Sequence, residues 1–166
     1  MKQLTREEFK NTFDSHFESV RNYIYYRSGD KELASDVAQE TFLRYWEKMS
    51  GKVNGNENVK GLLFKIAGDI FISSYRKSRV AMKYPVLRSK EEFNQSPEEQ
   101  LTYKEMLISY EKALADLPDK QRVVFLLNRM DGLKYNEIAL NLGLSVKAVE
   151  KRMKNALEFL RKAIVS

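Results

Sequence analysis

Residues 133–157 read LKYNEIALNLGLSVKAVEKRMKNAL, and this stretch decides the class of fold. A short helical segment bearing Ile138, Ala139 and Leu142 runs into Gly143, and after Leu144 a Ser at 145 opens a second helix. Glycine at 143 supplies the left-handed backbone that a tight turn requires. The small Ala139 lets the two helices approach, and Ser145 offers a side-chain oxygen to the free amides of the second helix. This is the helix-turn-helix pattern, whose second helix enters the DNA major groove. Val146, Val149, Met153 and Leu157 are expected to hold that helix to its neighbours. Lys147, Glu150, Lys151, Lys154 and Asn155 then face outward, with Arg152 beside them. Lys and Asn meet base edges or phosphates, and Glu accepts from a cytosine amino group.

Working outward, the remaining chain also reads as helix. Thr5 and Glu8 form a capping box, with Leu4 placed to staple onto Phe9. Phe9, Phe13, Phe17, Val20 and Ile24 recur at three- and four-residue spacing until Ser28-Gly29-Asp30 ends the helix. A second helix, about 31–49, has Ala34, Val37, Ala38, Thr41, Phe42, Tyr45 and Met49 on its inner stripe. Asp36, Gln39, Glu40, Leu43, Arg44 and Glu47 lie on its other side. Residues 50–60 carry two Gly and three Asn and read as a loop. A third helix, about 61–79, puts Leu63, Ile66, Ala67, Ile70 and Ser74 on one face. Lys65, Asp69, Ile72, Arg76 and Arg79 lie opposite, with Phe64, Phe71 and Tyr75 along a flank.

Periodicity fades over 80–95, where Pro85 intervenes, and Ser96-Pro97-Glu98-Glu99 restarts the helix with a cap, a Pro at its first position and acidic residues against the dipole. That helix stops before Pro118, and three more are expected at about 119–130, 136–142 and 146–164. The fold class is therefore all-α: two small helical domains, 1–79 and 98–166, joined by a flexible linker over 80–97, with the helix-turn-helix in the second. A flexible linker leaves the relative orientation of the domains open.

Composition narrows the function. The 166 residues contain no Cys and one His, so disulfides, thiol nucleophiles and Cys- or His-based metal sites are not expected. His16 lies on the first helix near Phe13 and Phe17 and reads as a packing or partly exposed residue. Asp and Glu are plentiful but scattered, with no spacing that suggests paired catalytic carboxylates. No catalytic residue, metal or cofactor is assigned. No apolar run approaches the roughly 18 residues of a membrane span, and no signal peptide opens the chain, so a cytoplasmic protein without membrane insertion is expected. The net charge of +6 is unevenly placed: −1 over 1–50, +7 over 51–90, −6 over 91–119 and +6 over 120–166. Two basic blocks separated by an acidic one suggest two polyanion-facing surfaces.

At this point the chain resembles a known family. Leu117-Pro118-Asp119-Lys120-Gln121-Arg122-Val123-Val124-Phe125-Leu126-Leu127, followed by Gly132-Leu133-Lys134-Tyr135-Asn136-Glu137-Ile138-Ala139, is similar to the promoter-binding domain of extracytoplasmic-function (ECF) sigma factors. Asp36 through Trp46 resembles that family's polymerase-binding helix, and Leu63 through Lys77 resembles its strand-opening helix. The resemblance covers nearly the whole chain in the family's order.

The resemblance implies core RNA polymerase and promoter DNA as partners. Asp36, Gln39, Glu40, Leu43, Arg44 and Glu47 would dock on the clamp coiled coil of the largest polymerase subunit, with Trp46 read as core rather than interface anchor. Asn54, Asn56, Asn58 and Lys60 would capture a flipped base and a phosphate of the −10 element, while Lys65, Arg76, Lys77 and Arg79 contact the opened strand. Phe64, Phe71 and Tyr75 read as packing rather than stacking platforms. Glu150, Lys151, Lys154 and Asn155 would read the −35 duplex, with Lys147 and Arg152 on phosphates. An anti-sigma partner is a further expectation of the family. One departure is Gly68-Asp69, where the family usually has Arg-Asn or similar; Asp69 on the basic face would repel phosphates. The rival readings are a self-sufficient helix-turn-helix regulator, which would bind duplex tightly alone, and a non-catalytic helical adaptor, which would show no promoter preference. The first leaves the loop and basic helix of the first 80 residues unexplained.

Overall fold

A computed structural model describes residues 4–49, 58–75 and 96–165. Seven helices form among them: α1 (Arg6–Ser28), α2 (Lys31–Met49), α3 (Val59–Tyr75), α4 (Pro97–Asp116), α5 (Asp119–Arg129), α6 (Tyr135–Leu142) and α7 (Val146–Val165), with no strand. Local chemistry sets the boundaries. The Thr5 hydroxyl accepts from the Glu8 amide while the Glu8 carboxylate accepts from the Thr5 amide, and Gly29 closes α1 at φ 70°. The same box of Ser96 and Glu99 opens α4.

In the first domain the inner stripe of α2 is buried at all seven expected positions. Phe42 is 1% exposed, with Phe13 packed edge-on at 5.0 Å and the Phe9 and Phe17 rings close by. Val20 and Ile24 of α1 and Leu63, Ala67 and Ile70 of α3 complete this core, and Phe64 stacks on Tyr23 at 4.7 Å. Phe64 is thus packing, as its spacing implied. Phe71 is half-buried under the Arg27 guanidinium, 4.8 Å away.

Two helix starts differ from the sequence reading. α3 begins at Val59, not Gly61, because the Asn58 carboxamide accepts from the Gly61 amide and starts the helix two residues earlier. α6 begins at Tyr135, where the Glu137 carboxylate accepts from the Lys134 amide. Most of the expected loop (50–57) and linker (80–95) lies outside the described residues.

In the second domain Gly143 takes φ 67° and Ser145 Oγ accepts from the Ala148 amide, so the turn and cap of the helix-turn-helix form as their residue types require. The inner stripe of α7 is Val149, Met153, Ala156 and Leu160. Val146 and Leu157, expected to pack, are 41% and 36% exposed. They sit some 50–70° around the helix from the centre of that stripe, at its edge, where the neighbouring helices no longer reach.

The two domains are not held apart. α1 packs on α5, and α3 packs on α6. Arg122 of α5 is 2% exposed and bonds both domains at once. Its Nε donates to the Tyr26 carbonyl at 2.8 Å and its Nη2 to the Arg27 carbonyl at 2.7 Å, at the end of α1. Its Nη1 donates to the Leu117 carbonyl at 2.6 Å and more distantly to Leu114 and Ala115, at the end of α4. The last carbonyls of any helix lack partners within it and carry the negative end of its dipole. A guanidinium with five donors in a fixed fork answers two such ends together.

Candidate nucleic-acid and partner interfaces

On α7, Lys147, Glu150, Lys151 and Lys154 are exposed, while Arg152 and Asn155 are half-buried. Three cations therefore stand on the outward face of the helix that follows the Gly143 turn. Arg152 instead borders a groove shared with Arg27, Asp119 and Lys120, next to the first domain.

On α2, Phe42 and Leu43 are neighbours in sequence and opposites in environment: 1% against 62% exposed. Asp36, Gln39, Arg44 and Glu47 are exposed with Leu43, and Glu40 is half-exposed. Arg44 Nη2 donates to Glu40 Oε1 at 2.8 Å across one turn. Beside them a groove of about 430 Å³ is lined by Arg6, Phe9, Phe13, Gln39, Phe42, Leu43 and Trp46. Trp46 is half-buried, its ring edge-on to Phe9 at 5.0 Å, so it belongs partly to the core and partly to this groove.

On α3, Lys65, Asp69 and Ile72 are exposed on one face. Lys60 is half-buried beside the Phe64 ring, and Asn58 both caps α3 and donates through Nδ2 to the Leu140 carbonyl of α6 at 3.2 Å. Asn54, Asn56, Arg76, Lys77 and Arg79 lie outside the described residues. The Gly68 departure has a packing reason. A Cβ there would meet the Tyr23 hydroxyl at a tight 3.2 Å and Arg27 Nη1 at an ordinary 3.5 Å, so glycine leaves room for these two side-chain ends.

The residues joining the domains carried no sequence signal of their role. Arg27 donates through Nε and Nη2 to Asp119 Oδ2 at 3.3 and 3.1 Å, and the Tyr26 hydroxyl donates to Asp131 Oδ1. Burial raises the Asp131 carboxyl above its ordinary value; the Tyr26 hydroxyl, Lys60 and Asn22 oppose that, Glu18 adds to it, and the balance is upward. Arg21 and Lys31 line the same pocket. A raised carboxyl pKa in the folded state stabilises the fold below the unfolded value of 3.8, and that contribution is lost as pH rises through the raised value. Asp131→Asn is therefore expected to gain in melting temperature relative to the parent at neutral pH, with the gain vanishing on acidification toward pH 4. A pH-independent difference between the two melting curves would refute the assignment.

His16 is half-buried, and burial, with Lys60 nearby, holds its imidazole below the ordinary value, which keeps it neutral. Among the described residues no cluster of three His, Asp or Glu is placed to hold a metal ion, and no helix is long and apolar enough to cross a membrane.

A helical domain with a partly apolar outward face is thus coupled to a helix-turn-helix domain with a basic one. Residues 12–80 match the family Sigma-70 region 2, and residues 107–160 match Sigma-70, region 4. The chain is 29% identical over 152 residues to the ferric citrate uptake sigma factor FecI of Escherichia coli (strain K12), covering 90% of this chain and 87% of that protein. It is 26% identical over 161 residues to the RNA polymerase sigma factor YlaC of Bacillus subtilis (strain 168), covering 95% and 92%. The fold is also that of the sigma factor RpoE from Bartonella quintana, solved with the anti-sigma factor NepR, at a TM-score of 0.64 and 21% identity over 95% of this chain and 96% of that one. The chain belongs to the ECF sigma factors. It binds core RNA polymerase and directs promoter-specific transcription initiation.

Proposed function

We propose the following division of labour within this sigma factor. Residues 1–79 bind polymerase and the −10 element, residues 98–166 bind the −35 element, and residues 80–97 tether them. Polymerase docks on α2 through Asp36, Gln39, Glu40, Leu43, Arg44 and Glu47. The observation that carries this reading is the contrast of Phe42 and Leu43, since a large apolar side chain kept in water amid charged neighbours suits a partner surface. Asn54, Asn56, Asn58 and Lys60 hold a flipped base and its phosphate, and Lys65, Arg76, Lys77 and Arg79 follow the opened strand. On α7, Glu150, Lys151, Lys154 and Asn155 read the −35 duplex, and Lys147 and Arg152 hold phosphates. The chain itself performs no catalysis, needs no cofactor and acts in the cytoplasm. An anti-sigma protein, of the kind that NepR is for RpoE, restrains it by covering its polymerase-binding surface.

In vitro transcription with core RNA polymerase and a promoter library tests the whole. Discrete new start sites that share two upstream elements are expected, and their absence would overturn the reading. Lys151→Ala is expected to weaken −35-dependent binding by about 1–3 kcal/mol if the ammonium reads a base edge, and to relax preference at one position. Unchanged preference among −35 variants would move Lys151 off the base-reading set.

A further inference from the structure

Val146 is the first residue of α7, directly after the turn of the helix-turn-helix, and it is 41% exposed. Local bonds fix it there. The Leu144 amide donates to the Ala139 carbonyl at 2.9 Å, and the Ser145 hydroxyl accepts from the Ala148 amide at 3.1 Å. Ser145 is thus engaged in the cap, and Val146 is the first side chain of the helix itself. A recognition helix enters the major groove by its N-terminal residues. The first turn of α7 carries no acidic residue that would repel the phosphates beside that groove. The buried stripe of Val149, Met153, Ala156 and Leu160 lies to one side of Val146. At 100° per residue, Glu150 lies about 40° to its other side. Val146 therefore stands between the core stripe and the face assigned to base reading.

We infer that Val146 is a specificity-determining residue of the −35 interface: its methyl groups pack on the 5-methyl group of a thymine in the major groove. The inference rests on the reading of α7 as the −35 helix. Among the edges that base pairs show in that groove, the thymine methyl is the apolar feature, and an aliphatic side chain discriminates by meeting it. A hydrogen-bonding edge facing Val146 would lose water and gain no partner. The side chain that selects thymine therefore also selects against the other edges. Register follows from helix geometry. Side chains four apart on a helix stand about 5–6 Å apart at Cβ, and successive base pairs about 3.4 Å apart. The thymine accordingly lies one or two base pairs from the cytosine whose amino group Glu150 accepts. Leu157 supplies an internal comparison. It is 36% exposed at nearly the same angle around α7. Yet it lies about 16 Å further along the axis, beyond the end that enters the groove.

Holoenzyme assembled from the full chain and core RNA polymerase, on a promoter taken from the library assay, tests this from the DNA side. Each −35 thymine, on either strand, is replaced in turn by deoxyuridine. The exchange removes the 5-methyl group and leaves every hydrogen-bonding group in place. One replacement is expected to weaken binding about fourfold, as the loss of one buried methyl group should. Val146→Ala is expected to bind the thymine and uracil promoters equally, and Leu157→Ala to keep the fourfold difference. Alanine is a good helix former at both positions, and helicity and melting establish that each variant folds. Glu150→Gln locates the neighbouring cytosine: preference is expected to relax at a C·G pair one or two steps from the sensitive thymine. A −35 element without a methyl-sensitive thymine, a methyl effect that survives Val146→Ala, or one lost equally in Leu157→Ala would overturn the inference. Its failure is distinguishable from failure of the reading beneath it. If Glu150→Gln and Lys151→Ala relax −35 preference while no methyl counts, the Val146 assignment alone falls. If neither variant alters −35 preference, α7 is not the reading helix and both fall together.

Discussion

A chain carrying Gln39→Ala, Glu40→Ala and Leu43→Asp is expected to fold as the parent does and to be left behind when core RNA polymerase is captured. The three positions share the outer side of α2, and none contributes to the buried stripe of that helix. Alanine is a better helix former than Gln or Glu, and losing the Glu40–Arg44 pair costs at most a few tenths of a kcal/mol at such exposure. Helicity and melting temperature should therefore stay close to the parent's. Binding responds differently. Leu43 is 62% exposed, and an aspartate there would have to be dehydrated against whatever apolar surface the leucine meets. Most interface residues cost little when truncated, while a central hot spot costs about 2 kcal/mol or more, so with Leu43 as the hot spot and its two polar neighbours removed as well affinity should fall about 100-fold. Co-purification and a fluorescence titration with core enzyme measure it. Parent-like affinity would move the polymerase surface off this side of α2 and off the groove that Gln39 and Leu43 line.

Much of the architecture was legible because helices declare which face they bury. Seven inner positions of α2 follow from spacing alone, and the Thr5, Ser96, Gly143 and Ser145 signals set helix ends by chemistry that acts within four residues. Spacing says that a face is buried, not against what. On α7 the stripe 149-153-156-160 and the apolar residues at 146 and 157 satisfy nearly the same period, and only the position of the neighbouring helices separates them. The surface residues proposed for polymerase and DNA were named from family likeness joined to that outward spacing. The contacts between the two domains had no such signal. Tyr26, Arg27, Asp119 and Asp131 are ordinary in composition, and their partners lie some 92 to 105 residues away. Asn58 was legible as a loop amide, yet its double use, capping α3 and holding α6, depends on a carbonyl 82 residues distant.

Arg122 is where that blindness matters most, and Arg122→Leu is expected to cost the folded chain about 3–5 kcal/mol. Within α5 the residue sits in a run of Val, Phe and Leu, and a leucine would look like an improvement by pattern. The structure argues otherwise. Replacing a buried charge by an apolar side chain is tolerated when its partners are replaced with it. Here the partners are backbone carbonyls of Tyr26, Arg27 and Leu117, which no substitution removes. Leucine would leave several of them without their donor at the ends of two helices, each unsatisfied acceptor costing about 1–3 kcal/mol. Arg122→Lys keeps the charge but replaces a planar fork by one ammonium, which cannot serve the ends of α1 and α4 with the same geometry. It should fall between parent and leucine. Urea unfolding of the full chain, followed by circular dichroism, measures all three. A loss below about 1 kcal/mol for Arg122→Leu would mean that water enters and satisfies those carbonyls, and that the guanidinium contributes little to holding the helix ends together.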